Sequence, residues 1–231
     1  MIECLRRGCV RRTLERWRSG WLEATVYDAV VERERLAGVL GRLIWGTDTS
    51  GCYGEIARLA EEPDGTVILD VPCGGRGRVP GLAARTTRAL RGGRSLAGDA
   101  AARARAEANR RDLDQIEFID ADVEALPFRD ASFDLCVSYT GLHCFPDPAA
   151  AVSEIACVLR PGGVVRGTTV VKRAGLRQNA FVRLYQVVGV FGPSGTSEEL
   201  ESWLADLGML DVSTRSDGAL AYFSAGNPER A

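Results

Sequence analysis

Two textures divide the chain. Over residues 1–62 apolar side chains recur at helical intervals: Leu14, Trp17 and Trp21, then Tyr27, Val30 and Val31, then Leu36, Leu40 and Leu43. That spacing collects them on one side of a helix. It predicts two or three helices, with breaks near Gly20 and across Gly46–Gly54, and no strand. Pro63-Asp64-Gly65 is a turn signal. Beyond it, short apolar runs alternate with helical stretches. Strands are predicted over Thr66–Val71, Ser95–Gly98, Gln115–Asp120, Phe133–Tyr139 and Val164–Val171, and helices over 82–91, 100–111 and 148–160. The first strand is apolar on both faces, as a strand covered on two sides must be. The rhythm is that of a parallel sheet covered by helices. After residue 171 it changes. A helix is predicted over 178–189 and another over Thr196–Leu207, where Thr196 as N-cap and Glu199 three residues on can form a capping box. Strands over about 209–215 and 219–225 are joined by Ser216-Asp217-Gly218, a connection short enough only for an antiparallel pair.

Composition narrows the class. A chain of 231 residues allows one domain with a core that needs no metal or disulfide staple. The net charge of −2 argues against a dedicated nucleic-acid binder. Of 29 basic residues only Lys172 is lysine, which reads as the codon bias of a GC-rich genome. Seven cysteines without a CxxC pair, beside the single histidine His143, support neither a metal site nor a disulfide framework. Reduced thiols fit a cytoplasmic location. The basic N-terminus lacks the apolar core of a signal peptide, and no run is long enough for a membrane span. These features predict a soluble cytoplasmic protein.

The strongest chemical signal is Asp70-Val71-Pro72-Cys73-Gly74-Gly75-Arg76-Gly77, directly after an apolar strand. Such a turn lets a ligand approach the backbone at the start of the next helix. The dinucleotide pattern fails at Pro80, and no lysine follows for a phosphate loop. A glycine-rich turn without ligand is the plain alternative. The only carboxylate between Asp70 and Glu107 is Asp99. An acid about twenty residues past such a turn can accept both hydrogens of a ribose diol; Asp99 can equally cap the following helix.

The next segments, Asp120-Ala121-Asp122-Val123-Glu124-Ala125-Leu126-Pro127-Phe128 and then SFDLCVSYTGLHCFPDPAAAVSEIACVLRPGG, complete a linear order. In that order the chain closely resembles the class I S-adenosylmethionine-dependent methyltransferases, within them the type 11 group that includes the ubiquinone and menaquinone biosynthesis enzymes. The resemblance covers roughly residues 64–171. It implies a Rossmann-like α/β fold with a seven-stranded, mostly parallel sheet, helices on both faces, an antiparallel strand near one edge and an N-terminal helical cap. Residues 1–62 would be that cap and 63–231 the core, with 172–195 as a lid over the acceptor.

The resemblance also implies residue roles. Asp70, Pro72, Gly74, Gly75 and Gly77 would hold the methionine part of S-adenosylmethionine, and Asp99 its ribose hydroxyls. Asp122 would accept from the adenine amino group, with Val123 giving a backbone contact. Tyr139 and Thr140 would end the fourth strand beside the transferred methyl, with Tyr139 a candidate catalytic residue. The family pattern reads Asp-x-Gly-x-Gly-x-Gly. Here Pro72 and Arg76 stand at the first and third glycine positions, and an arginine side chain there would crowd the methionine pocket.

Methyl transfer from a sulfonium is an in-line displacement that needs positioning more than covalent help. His143, just past the fourth strand, is the one imidazole available as general base; a buried structural histidine is the other reading. Trp17, Trp21, Trp45, Tyr53, Phe181, Tyr185 and Phe191 can line a pocket for a flat or apolar acceptor, or form core. The activity implied is methylation of a small phenolic, quinone or lipid-like molecule, with no metal, nucleic-acid partner or integral membrane association. A catalytically degenerate binding protein of the same fold is the main alternative, and a nucleotide-binding oxidoreductase a second.

Overall fold

The computed structural model describes residues 34–49, 51–72, 87–92 and 105–229. It begins with helix α1 (Glu34–Ile44) and helix α2 (Gly51–Ala57), which tightens into a 3-10 turn over Arg58–Glu61. The helix thus resumes at Gly51, inside the stretch predicted as a break. At Pro63-Asp64-Gly65 the Thr66 amide and hydroxyl both donate to Pro63 O, at 3.2 and 2.7 Å, which closes the expected turn.

The strands are β1 (Ile68–Asp70), β2 (Thr87–Gly92), β3 (Ile116–Ala121), β4 (Phe133–Tyr139), β5 (Leu159–Val170), β6 (Leu210–Asp217) and β7 (Leu220–Gly226). They form one seven-stranded sheet in the order β3-β2-β1-β4-β5-β7-β6. Neighbours from β3 to β5 are parallel, and β7 runs antiparallel to both β5 and β6. Three further helices follow β4 in the chain: α3 (Pro148–Val158), α4 (Leu176–Val187) and α5 (Ser197–Asp206). The Asp147 carboxylate caps α3 by accepting from Ala149 and Ala150 N–H. Thr196 and Glu199 close the expected capping box on α5, with bonds of 2.8 and 3.2 Å.

Two strands also differ from their sequence predictions: β5 starts at Leu159, inside the helix predicted over 148–160, and β2 replaces part of another. Residues 87–91, predicted as the end of a helix, belong to β2, which pairs with Ile116–Ala121 along its whole length. Alanine, leucine and arginine are good helix formers, but a six-residue ladder to β3 on one side and a three-residue ladder to β1 on the other override that local preference. The strand predicted at Ser95–Gly98 lies outside the described residues. Asp99, also outside them, follows β2 by seven residues and does not directly end it.

Two apolar layers cover the sheet. On one face Leu69, Val71 and Cys136 pack with Val152, Ile155, Leu200 and Leu204 from α3 and α5. On the other, Ile68, Leu135, Val137 and Tyr139 pack with Ile56 and Leu59 from α2 and its 3-10 turn, and with Ala108 from helical residues 105–110. This explains why β1 is buried at every position. Among the described residues no helix is long and apolar enough to cross a membrane.

Candidate functional site

Strand order reverses between β1 and β4, because the chain first builds outward through β2 and β3 and then returns to the other side of β1. The carboxyl ends of strands at such a reversal frame a crevice, the usual ligand site of an open α/β sheet. Four of the sequence-predicted residues lie at these ends. Asp70 closes β1 and is 1% exposed. Val71 N–H donates to Val137 O at 2.8 Å and carries the strand one residue further. Pro72 follows, buried, through a cis Val71–Pro72 peptide. It packs on Gly141 so closely that a Cβ there would lie 2.2 Å from Pro72 Cδ and 2.8 Å from Ser138 Oγ. A proline at the first glycine position is thus accommodated by a glycine on the facing loop.

Across the reversal, Tyr139 ends β4 and Thr140 follows it. Tyr139 is buried, and its hydroxyl donates to Glu55 O at 3.2 Å. Arg166, ion-paired to Glu62 at 2.5 Å, also bonds the phenol oxygen. Burial pushes the Tyr139 phenol up to about 12, with Arg166 pulling the other way, so it stays neutral near pH 7. Thr140 has φ of 54°, a left-handed conformation that costs a non-glycine residue about 1 kcal/mol or more. Three bonds hold it there. Its N–H reaches Thr168 O at 2.7 Å and Thr168 Oγ1 at 3.1 Å, and its hydroxyl donates to Tyr139 O at 2.7 Å.

Asp122 and Val123 follow β3. Asp122 Oδ1 accepts from Glu124 N–H at 3.1 Å, and Val123 is buried in the core. Two carboxylates fix this loop to α3 and its approach. Glu154 Oε2 accepts from Leu126 N–H at 2.9 Å, and Glu124 Oε1 from Asp147 N–H at 3.2 Å. The sequence reading missed Glu124, Glu154, Thr168 and Arg166, since their bonds join elements far apart in the chain. Gly74, Gly75, Arg76, Gly77 and Asp99 lie outside the described residues.

His143 sits in a buried 3-10 turn after β4. Its Nδ1 accepts from Val170 N–H at 3.1 Å and lies 3.3 Å from Thr169 Oγ1. A backbone donor at Nδ1 leaves the proton of the neutral ring on Nε2. Phe191 packs on the ring at 4.4 Å between centroids, and Phe191 in turn stacks with Tyr185 at 5.0 Å and Trp45 at 5.8 Å. These three aromatics pack on one another beside Val170 and Val182, and Phe191 alone reaches His143. Burial lowers the imidazole from 6.5 to about 3. The unfolded chain therefore takes up a proton below pH 6.5 that the folded one refuses, and stability falls with pH. Between pH 6.5 and 5 the unfolding free energy is expected to drop, relative to His143→Gln, at an extra rate that rises from about 0.7 toward ~1.4 kcal/mol per pH unit. Denaturant titrations at several pH values check this; equal slopes would mean that the folded protein protonates the ring.

Comparison with known proteins agrees with this geometry. Residues 69–166 match the family described as a methyltransferase domain. An uncharacterized chloroplastic methyltransferase of Arabidopsis thaliana is 31% identical over 126 residues, or 53% of this chain and 36% of the relative. The ubiquinone/menaquinone biosynthesis C-methyltransferase of Brucella suis is 45% identical over 51 residues, 22% of this chain and 19% of the relative. The matched stretches thus span 36% and 19% of the lengths of these two proteins. Phosphoethanolamine N-methyltransferase 2 of Haemonchus contortus, solved in complex with S-adenosyl-L-methionine, has a similar fold. Its TM-score is 0.67 at 15% identity, with 81% of this chain and 56% of that one covered. The architecture is the Rossmann-like α/β fold of the methyltransferases.

Proposed function

We propose that this chain, a member of the methyltransferase family through residues 69–166, transfers a methyl group from S-adenosylmethionine to a small phenolic, quinone or lipid-like acceptor. The observation that carries the reading is the meeting of Asp70 with Tyr139 and Thr140 at the carboxyl ends of the adjacent strands β1 and β4, where the sheet reverses its order.

The acids available suit this cofactor. Its amino group, ribose diol and adenine amine are all hydrogen-bond donors, and it carries a sulfonium charge. Asp70, Asp99 and Asp122 offer carboxylate acceptors, Val123 a backbone contact, and Pro72, Gly74, Gly75 and Gly77 a turn with few side chains to obstruct the methionine part. When bound, the cofactor supplies an electrophilic methyl group. The chain's own work is then alignment: Asp70 and Asp99 fix the two ends of the methionine–ribose unit, and Thr140, held in its left-handed conformation, sets the wall beside the methyl. Alignment of this kind supplies ~7–11 kcal/mol when the reacting atoms are held in line.

His143, neutral and bonded through Nδ1 to the backbone, is a structural support for the loop after β4 and not a general base. His143→Ala is expected to reduce turnover less than about tenfold, below the range typical of a lost general base. An acceptor that reacts as an ionised quinol or phenolate fits that condition. Residues 172–195 serve as a lid, while Gly51–Glu61 belong to the layer that covers the sheet and not to a cap; the stacked Trp45, Tyr185 and Phe191 support an aromatic or apolar acceptor. The relative in Brucella suis, named for ubiquinone and menaquinone biosynthesis, supports a quinone-like acceptor. The reading includes a cytoplasmic location, no metal and no nucleic-acid partner.

The test incubates the full chain with S-adenosylmethionine labelled in the methyl group and a panel of phenols, quinols, amines and lipids. Label is expected in a phenolic, quinol or lipid-like product. Tight cofactor binding with no transfer to any acceptor would support a catalytically silent binding protein instead.

A further inference from the structure

Helix α4 carries apolar residues on its outer side as well as its inner one. Leu176, Ala180, Arg183, Leu184 and Val187 recur at three- and four-residue intervals, so they share one side of the helix. That side faces solvent, with Leu176 93% exposed, Leu184 53% and Val187 61%. The opposite side buries Val182 and half-buries Gln178, Tyr185 and Gln186, and the Gln186 amide donates to Gly192 O at 2.9 Å. A helix of a globular domain normally keeps that outer side polar. Helix α1 packs beside α4 and adds Val39 and Leu43, 61% and 59% exposed and one turn apart.

The charge on α4 itself has one sign. Between Glu154 and Glu198 the chain contains no acid, although its net charge is −2. Within that span Arg173, Arg177 and Arg183 are exposed on and just before α4. On α1, Arg42 pairs with Asp48 at 2.5 Å, so the cationic field centres on α4. Exposed leucine and valine beside arginine suit an anionic lipid surface, the apolar side chains against the acyl boundary and the arginines reaching past them to the headgroups. A phosphate backbone would use the arginines and leave the apolar stripe in water.

We propose that the α1–α4 surface docks on a membrane leaflet containing anionic lipid. Helix α4 leaves the carboxyl end of β5, the same edge of the sheet on which Asp70 and Thr140 lie. Docking through α4 therefore sets that edge next to the bilayer. The contact stands without the methyl-transfer reading; only its use, to draw a lipid-dissolved acceptor toward the site, rests on it.

Flotation of the full chain with phosphatidylcholine vesicles, with and without phosphatidylglycerol, tests the contact and needs neither cofactor nor acceptor. The protein is expected to float with the anionic vesicles, and less so at high salt. Leu184→Asp with Val187→Asp, and separately Arg177→Gln with Arg183→Gln, are each expected to weaken binding about tenfold or more. All four positions are exposed, and an unchanged thermal melt confirms that the variants fold. The proposal is overturned if the protein does not float, floats equally well with neutral vesicles, or floats undiminished when α4 is altered. It is also overturned if the same variants abolish binding to an oligonucleotide or a self-association and leave flotation unchanged. A null result here, with methyl transfer intact, would remove the surface contact and leave the enzyme.

Discussion

Asp70→Asn is expected to weaken S-adenosylmethionine binding ten- to a hundredfold or more. The carboxylate ends a fully buried strand at the reversal of the sheet and is 1% exposed. A hydrogen bond from a charged or polar donor to such a group is worth about 1.5–3 kcal/mol, and each ~1.4 kcal/mol is a factor of ten in affinity. Asparagine keeps the shape and removes the charge. Because holding a carboxylate out of water is costly in itself, the melting temperature of the ligand-free protein is expected to hold. Calorimetric titration beside a thermal melt separates loss of binding from loss of fold. Unchanged affinity would remove Asp70 from the cofactor site.

Gly167→Ala is expected to give the largest loss of stability. Gly167 lies in β5 opposite Ser138 of β4. A Cβ there would stand 2.0 Å from Ser138 O, 2.7 Å from Ser138 C and 2.9 Å from Phe223 Cζ. Two of these atoms are backbone in the centre of the sheet, so the strands must part to admit a methyl group. Overpacking of this kind costs about 3 kcal/mol or more. For a chain of this length that lowers the melting temperature by roughly 6–12 °C. The next residue, Thr168, holds Thr140 in its left-handed conformation, so cofactor affinity is expected to fall as well. A melting temperature within about 2 °C of the parent would mean that β4 and β5 yield easily.

The sequence carried the fold where local signals and tertiary structure agree. β4 spans Phe133–Tyr139, the range its apolar run predicts, and the Thr196–Glu199 box starts α5 at its expected residue. The strands predicted on either side of Ser216-Asp217-Gly218 do form an antiparallel pair; Ser216 and Asp217 join β6, and only Gly218 and Ala219 lie between the strands, too short a link for anything else. β2 was not legible, because Thr87–Gly92 has no strand pattern of its own and is made a strand by pairing with β1 and β3. The same division holds at the site. Asp70, Asp122, Tyr139 and Thr140 are candidates through the family resemblance of their linear order, and they stand at or just past strand ends. The bonds that hold them are not legible, because Thr168, Glu154 and Arg166 act across long sequence separations. For His143 the sequence left base and structural support open. The Val170 amide on Nδ1 and the ring of Phe191 weigh toward support, and no spacing announces either of them.

The central claim is that the crevice between β1 and β4 takes S-adenosylmethionine. Titration calorimetry of the full chain with S-adenosylmethionine, S-adenosylhomocysteine and NADH tests it most directly. The account expects saturable binding of both sulfur compounds and none of NADH, since the turn after β1 lacks the dinucleotide glycine pattern. Tighter binding of NADH than of either compound would contradict it.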